Sequence, residues 1–250
     1  MLTVLKIALS LNGFLDDGKE ERSVISNSID RSAVSLLRAR SDAILIGGET
    51  FRKDNPSLLI YQNEDRINRL KTWETPDPVP VILWGGTKTP ENFNTYKLFQ
   101  KSIKQENNFE RKVIVIASEK LSSEMKILPQ NIKIHYYSGE MASLPFIYKV
   151  LSEEKISRLL VEGSNFLVPI FLENSNADLI RIAYRGISFN KENAKGIFPE
   201  SDISFSDSYT LCKLENLSNH NIDSMHAIWF RKKESSSNTD VFLDEVSRLN

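Results

Sequence analysis

The chain has very little sulfur or imidazole to work with. Its 250 residues include one cysteine, Cys212, and three histidines, His135, His220 and His226. One cysteine excludes an intrachain disulfide, and no Cys/His spacing suits a structural zinc site, so no metal is expected. The zinc deaminase signature, which requires Cys-x-x-Cys, is absent for the same reason. There is no excess of either charge. The formal net charge is −1, which argues against a nucleic-acid partner. Long apolar runs are also missing. The N-terminal MLTVLKIALSLNG is broken by Lys6 and has no basic region before it, so neither a signal peptide nor a membrane span is expected, and the expected compartment is the cytoplasm.

What is present is an ordinary soluble composition, 40% hydrophobic and 26% charged, in a length that suits one large α/β domain or two small ones. Leu2–Leu9 reads as a buried strand, followed by turn chemistry at Asn12-Gly13 and Asp16-Asp17-Gly18. Asn27 or Ser28 can cap a helix whose apolar positions include Ile29, Ala33, Leu36 and Leu37. Ala43–Ile46, Val79–Trp84, Lys112–Ala117, Ile132–Tyr136 and Leu159–Val161 read as strands. Helices are expected from Glu119 to about Ile127, over Leu144–Leu151 and over Asn165–Leu172. Residues 62–78 are polar, contain Pro76 and Pro78, and read as a surface excursion. Residues 87–111 are polar with some helical spacing at Phe93, Tyr96, Leu98-Phe99 and Ile103.

After Asp178 the pattern changes to Leu179–Tyr184, Tyr209–Leu214 and Met225–Phe230, three strands with no full helix between them and a long loop over Gly186–Asp207. The alternation implies a mostly parallel sheet with an antiparallel C-terminal extension. Residues 1–233 form the expected domain, and 234–250 an expected tail, helical or disordered.

Two stretches carry candidate chemistry. AILIGGETFRKDNPSLLI, residues 43–60, is a buried strand running into Gly47-Gly48 and then Thr50 and Asp54. Arg158–Ser164 repeats the strand-to-glycine pattern at Gly163. Such turns place backbone N–H groups near a phosphate, and Gly163-Ser164-Asn165 before Phe166–Leu172 offers a similar site. Gly47 and Gly48 also read as residues that permit positive φ. Thr50 also reads as a cap of the following turn. Arg38 reads either as a ligand group or as a partner for a helix C-terminal dipole. Glu162, at the end of an apolar strand, needs a partner or a function.

In order and spacing, four segments resemble the reductase domain of bacterial riboflavin biosynthesis, a dihydrofolate reductase-like family. They are Lys6-Ile7-Ala8-Leu9-Ser10-Leu11-Asn12-Gly13, Leu37-Arg38 ahead of Asp42-Ala43-Ile44, Ile46-Gly47-Gly48-Glu49-Thr50 through Asp54-Asn55-Pro56-Ser57-Leu58, and Val161-Glu162-Gly163-Ser164. The resemblance implies a three-layer α/β fold and hydride transfer from NADPH. The implied acceptor is C1′ of a phosphoribosylamino-pyrimidine, reduced to a ribityl chain. It implies cofactor contacts at Ala8, Gly47, Gly48, Thr50, Asp54, Gly85, Gly163, Ser164, Asn165 and Phe166. On the substrate side it implies Arg22, Ser26, Arg38, Leu58, Tyr61 and Glu162. It also implies a homodimer, for which Ile180, Ile182, Tyr184, Ile228 and Phe230 form a candidate face, although core packing explains them equally.

The chain departs from the family pattern at two places. Asn12 stands where the family has Asp, and an amide cannot act as a general base. Tyr61 stands where an Arg often holds the substrate phosphate, so Arg22 is the residue expected to supply charge from the other side. Two other readings fit the same residues, a reductase of this fold with another small-molecule substrate and a non-catalytic nucleotide-binding protein.

Overall fold

The computed structural model describes residues 1–19, 24–85, 95–99, 111–123, 125, 131–173, 175–190, 192, 194–196, 205–218 and 224–247. Continuous apolar runs build the centre of the sheet, because a parallel strand covered by helices must be apolar on both faces. β1 (Leu2–Ser10), β3 (Ala43–Gly47), β4 (Val79–Trp84) and β5 (Val113–Ser118) have almost no exposed side chains. With β6 (Ile132–Tyr137), β7 (Arg158–Glu162), β8 (Leu179–Arg185), β10 (Tyr209–Asn216) and β11 (Met225–Lys232) they form a nine-stranded sheet of order β10-β11-β8-β1-β7-β3-β4-β5-β6. All pairings from β8 to β6 are parallel, whereas β11 is antiparallel to β8 and β10 to β11. This is the mostly parallel sheet with an antiparallel C-terminal extension that the strand pattern implies.

Strand periodicity divides the core into two layers. Leu5, Ile7 and Leu9 face one side with Ile147, Leu151, Leu167 and Phe171. Leu2 and Val4 face the other with Leu36, Leu37, Phe51 and Phe242. Helices α4 (Leu144–Glu153) and α5 (Leu167–Glu173) therefore cover the first face. Helices α1 (Ser28–Ala39), α2 (Gly48–Asp54) and α7 (Asn238–Ser247) cover the second. The cap of α1 is Asn27, whose side chain accepts from the Asp30 N–H at 2.8 Å.

Several sequence expectations change. Residues 62–78 hold a helix, α3 (Asn63–Arg69), and Arg69 is 1% exposed. Its guanidinium donates to the carbonyls of Ala39, Ser41 and Thr75, which ties the stretch to the end of α1. The polar composition gave no sign of this, because the buried part of α3 is one cation that bonds backbone. After Ser118 the chain makes a 3₁₀ turn over Glu119–Leu121 in place of the start of an α-helix, and residues 126 and 127 lie outside the described residues. The helix expected from Asn165 begins at Leu167.

The stretch between Gly186 and Asp207 includes β9 (Lys195–Gly196), paired with β2 (Phe14–Asp16), and a short helix α6 (Phe205–Ser208). Residues 238–247 are helical, and Phe242 is fully buried on the sheet. Ile180 and Ile182 are core residues, so packing explains them. Among the described residues no helix is long and apolar enough to cross a membrane, and no group of His, Cys, Asp and Glu could hold a metal ion.

Candidate active site

A cleft of about 650 Å³ opens at the C-terminal ends of β1, β7 and β3, on the face covered by α1 and α2. This is where open α/β sheets place ligands, because strand ends and helix starts leave backbone groups unpaired there. The cleft brings together nine of the residues picked from sequence. Ala8, Thr50, Asp54 and Gly163 come from the cofactor set, and Ser26, Arg38, Leu58, Tyr61 and Glu162 from the substrate set. Ser164 and Asn165 line a small adjoining recess with Asp16, Glu49 and Lys53. Gly47, Gly48, Gly85 and Phe166 line neither space. Arg22 lies outside the described residues, as do Phe93, Ile103 and His220.

The glycines act through close approach. Gly47 has φ −75°, and Gly48 is the first residue of a right-handed helix, so the positive-φ reading of this pair is wrong. A Cβ on Gly48 would meet the Leu83 carbonyl oxygen and Trp84 Cα, each at 3.2 Å. At Gly163 it would meet Val168 Cγ2 at 2.7 Å and the Lys6 carbonyl at 3.0 Å. Gly163 also donates its N–H to that carbonyl at 2.9 Å, which closes the ends of β1 and β7 together. Beside Gly85 there is open space within 4 Å of where a Cβ would lie. Ser164 is buried, and its hydroxyl accepts from the Leu167 N–H at 3.2 Å, capping α5.

The substrate side is built on an ion pair. Arg38 Nε and Nη2 donate to the two oxygens of Glu162 at 2.6 and 2.8 Å, and Nη1 donates to the Leu59 carbonyl at 2.7 Å. Tyr61 lies over the Arg38 guanidinium, 4.7 Å from ring centroid to Cζ. Burial disfavours both charges. Their mutual attraction overcomes it, holding Glu162 below the usual carboxylate range and raising Arg38 above its ordinary value. The Glu162 side chain keeps 19% of its surface exposed, so the carboxylate still faces the cleft.

Three basic residues in the cleft stand outside the sequence-based sets. Lys6, on β1, places its ammonium 3.4 Å from Ser26 Oγ and 3.5 Å from Asp30 Oδ2. The signal for it was present, since a lysine inside an otherwise apolar strand requires buried acceptors. Arg31 enters from α1, and Lys53 from α2, where it pairs with Asp16 at 2.9 Å. Neither has a local sequence signature. Behind Lys6, Asp30 also accepts from Arg181 Nη1 at 2.6 Å, and Arg181 reaches Glu215 at 3.1 Å. Burial would raise the Asp30 pKa, but Lys6 and Arg181 outweigh it and hold it at about 2.

Asn12 does not line the cleft. It accepts from Ser10 Oγ at 2.8 Å and from the Phe189 N–H at 3.1 Å, and donates Nδ2 to the Phe189 carbonyl at 2.8 Å. The amide thus joins the end of β1 to the chain after β8.

Residues 2–222 match the model of the RibD C-terminal domain. The chain belongs to this family. It is 28% identical over 180 residues to a 2,5-diamino-6-ribosylamino-4(3H)-pyrimidinone 5′-phosphate reductase of Archaeoglobus fulgidus, covering 72% of this chain and 78% of that one. Over 100 residues it is 39% identical to the chloroplastic riboflavin biosynthesis protein PYRR of Arabidopsis thaliana, 40% of this chain but 15% of that protein. Among solved structures, the Thermotoga maritima diaminohydroxyphosphoribosylaminopyrimidine deaminase/5-amino-6-(5-phosphoribosylamino)uracil reductase superposes with TM-score 0.66 at 25% identity. That match covers 92% of this RibD C-terminal domain chain and 56% of the other. A pyrimidine reductase-like protein of Corynebacterium diphtheriae gives TM-score 0.72 at 17% identity, with coverage of 94% and 92%, which speaks to the fold alone.

Proposed function

We propose that the chain is an NADPH-dependent reductase of a 5-amino-6-(5-phosphoribosylamino)uracil-type pyrimidine, converting its ribosyl group to ribityl in riboflavin biosynthesis. The observation that carries this reading is the cleft itself. Small and glycine residues, Ala8 and Gly163, floor one side, and the Arg38–Glu162 pair walls the other. Four basic side chains, Lys6, Arg31, Arg38 and Lys53, line the cleft, and Lys6, Arg38 and Lys53 each have a carboxylate partner, so Arg31 is the guanidinium available to a phosphate.

The residues present fit a dinucleotide. Ala8 and Gly163 line the cleft, and the open space beside Gly85 leaves room for a ligand at the end of β4. Thr50, Asp54 and Lys53 on α2 would hold it between these points. When bound, NADPH supplies the hydride. On the substrate side, Glu162 accepts pyrimidine N–H groups while Arg38 fixes its orientation. Arg31 offers a guanidinium for the substrate phosphate, in place of the arginine missing at position 61. Reduction at C1′ breaks the bond to the ring oxygen, which leaves as a hydroxyl and requires a proton. The Lys6 ammonium, held by Ser26 and Asp30 in the cleft wall, would give it.

The test is NADPH oxidation by the purified protein with the 2-amino-pyrimidinone and the uracil forms of the substrate, NADH serving as control. Oxidation with one of them is expected. NADPH binding with no turnover of either would leave the other two readings, a reductase for another substrate and a non-catalytic nucleotide-binding protein. No binding would sink the enzyme reading. The homodimer is part of the proposal. Its support is the edge strand β10, which exposes Leu211 and Leu214.

A further inference from the structure

The substrate-side wall is the extended segment 57–62, and side chains from distant elements hold its backbone. The Ser57 and Leu58 carbonyls accept from Arg111 Nη1 and Nη2 at 2.8 and 2.6 Å. The Leu59 carbonyl accepts from Arg38, and the Ile60 N–H donates to Asp77 at 2.8 Å. The N–H groups of Tyr61 and Gln62 both donate to Ser35 Oγ. At the cleft end of this segment, Leu58 has φ 49°, a left-handed conformation that a leucine avoids because its Cβ crowds the backbone. Its side chain is nonetheless 1% exposed and lines the cleft. Strain of this kind persists only where the surroundings over-determine it.

Arg111 is the element that does so. It lies just ahead of β5, is 5% exposed, and has no carboxylate ion-pair partner among the described residues. Its guanidinium donates instead to carbonyls, those of Ser57, Leu58 and Pro78, the last at 2.8 Å from Nη2. Burial pushes its pKa down to about 10. A buried cation bonded only to carbonyls is costly, and an aliphatic side chain would fill much of the space without that cost. The guanidinium clamps two successive carbonyls from two nitrogens fixed in one plane.

We propose that Arg111 is a positioning residue for the substrate. By clamping the carbonyls of Ser57 and Leu58, it holds Leu58 in the left-handed conformation that shapes the cleft wall facing the pyrimidine. The proposal rests on the reductase reading and gives its substrate side a second determinant, far from the cleft in sequence. Arg111→Met removes the fork at similar length. Arg111→Lys keeps the charge with a single point of donation. Leu58→Gly removes the side chain and accepts the left-handed backbone freely.

In Arg111→Met the KM for the pyrimidine is expected to rise about tenfold while the Kd for NADPH stays unchanged, with Arg111→Lys intermediate. Leu58→Gly alone should raise KM similarly, and adding Arg111→Met to it should raise KM no further, because both act through the same piece of cleft wall. If Arg111→Met does not fold, Arg111→Lys takes its place in the cycle. Additive effects, or NADPH Kd and KM moving together, would overturn the proposal. Hydrogen exchange at the Ile60 and Tyr61 amides supplies a readout independent of turnover. Faster exchange there than in the wild type, with the strands of the sheet unchanged, is expected in Arg111→Met. An unchanged rate would count against the clamp even if the wild-type protein turned over neither pyrimidine, the result that removes only the pyrimidine as substrate.

Discussion

Arg38 and Glu162, 124 residues apart in the chain, meet through two parallel hydrogen bonds of 2.6 and 2.8 Å in the wall of the cleft. The pair ties the last turn of α1 to the end of β7 and presents a carboxylate of fixed orientation to the cleft. Breaking a buried pair from one side leaves the other charge unpaired. Glu162→Gln is therefore expected to lower stability by about 3–5 kcal/mol and to raise the KM for the pyrimidine more than the Kd for NADPH. Urea unfolding and steady-state kinetics on the same preparation check both. Wild-type stability in the variant would show that Arg38 finds another partner.

Asp30 gives a pH dependence. Its folded pKa of about 2 lies below its ordinary 3.8. A depressed carboxyl contributes stability above the unfolded value and loses it as pH falls through the folded one. The contribution, on the order of 2 kcal/mol, should thus be complete above about pH 4 and fade toward pH 2. Asp30→Asn is expected to be less stable than wild type at neutral pH, and the difference should shrink across that window. Denaturant midpoints measured between pH 2 and 6 would show it, and a constant difference would mean that Asp30 is not ionised in the folded protein.

From sequence, Asn12→Asp looks like a restoration of the family residue. The structure predicts the opposite. An aspartate cannot donate to the Phe189 carbonyl, and one of its oxygens would face that carbonyl at the 2.8 Å now occupied by a hydrogen bond. A loss of about 1–2 kcal/mol is expected, with no gain in turnover. Thermal unfolding and activity assays decide the matter, and a faster, equally stable variant would refute the prediction.

Local order was largely legible. β3 and β7 are continuous apolar runs, α1 has its cap at Asn27, and the parallel-then-antiparallel sheet follows from where helices stop alternating with strands. Nine of the site residues picked from sequence do share one cleft, because β1, β3 and β7 are neighbours in the sheet and α1 and α2 cover the same face. Less legible was α3, whose buried residue is an arginine and whose composition resembles a surface loop. Arg31 and Lys53 were missed because exposed basic residues on helices look alike wherever they point.

The sequence by itself determined the central strands and the capped start of α1, since these depend on neighbours within a few residues. Only the tertiary structure decided the partners. It set Glu162 against Arg38, Asp30 between Lys6 and Arg181, and Arg111 under Ser57 and Leu58. Those pairings depend on strand order and helix placement, which bring together side chains distant along the chain. The energy that fixes each buried charge exists only once its partner has arrived.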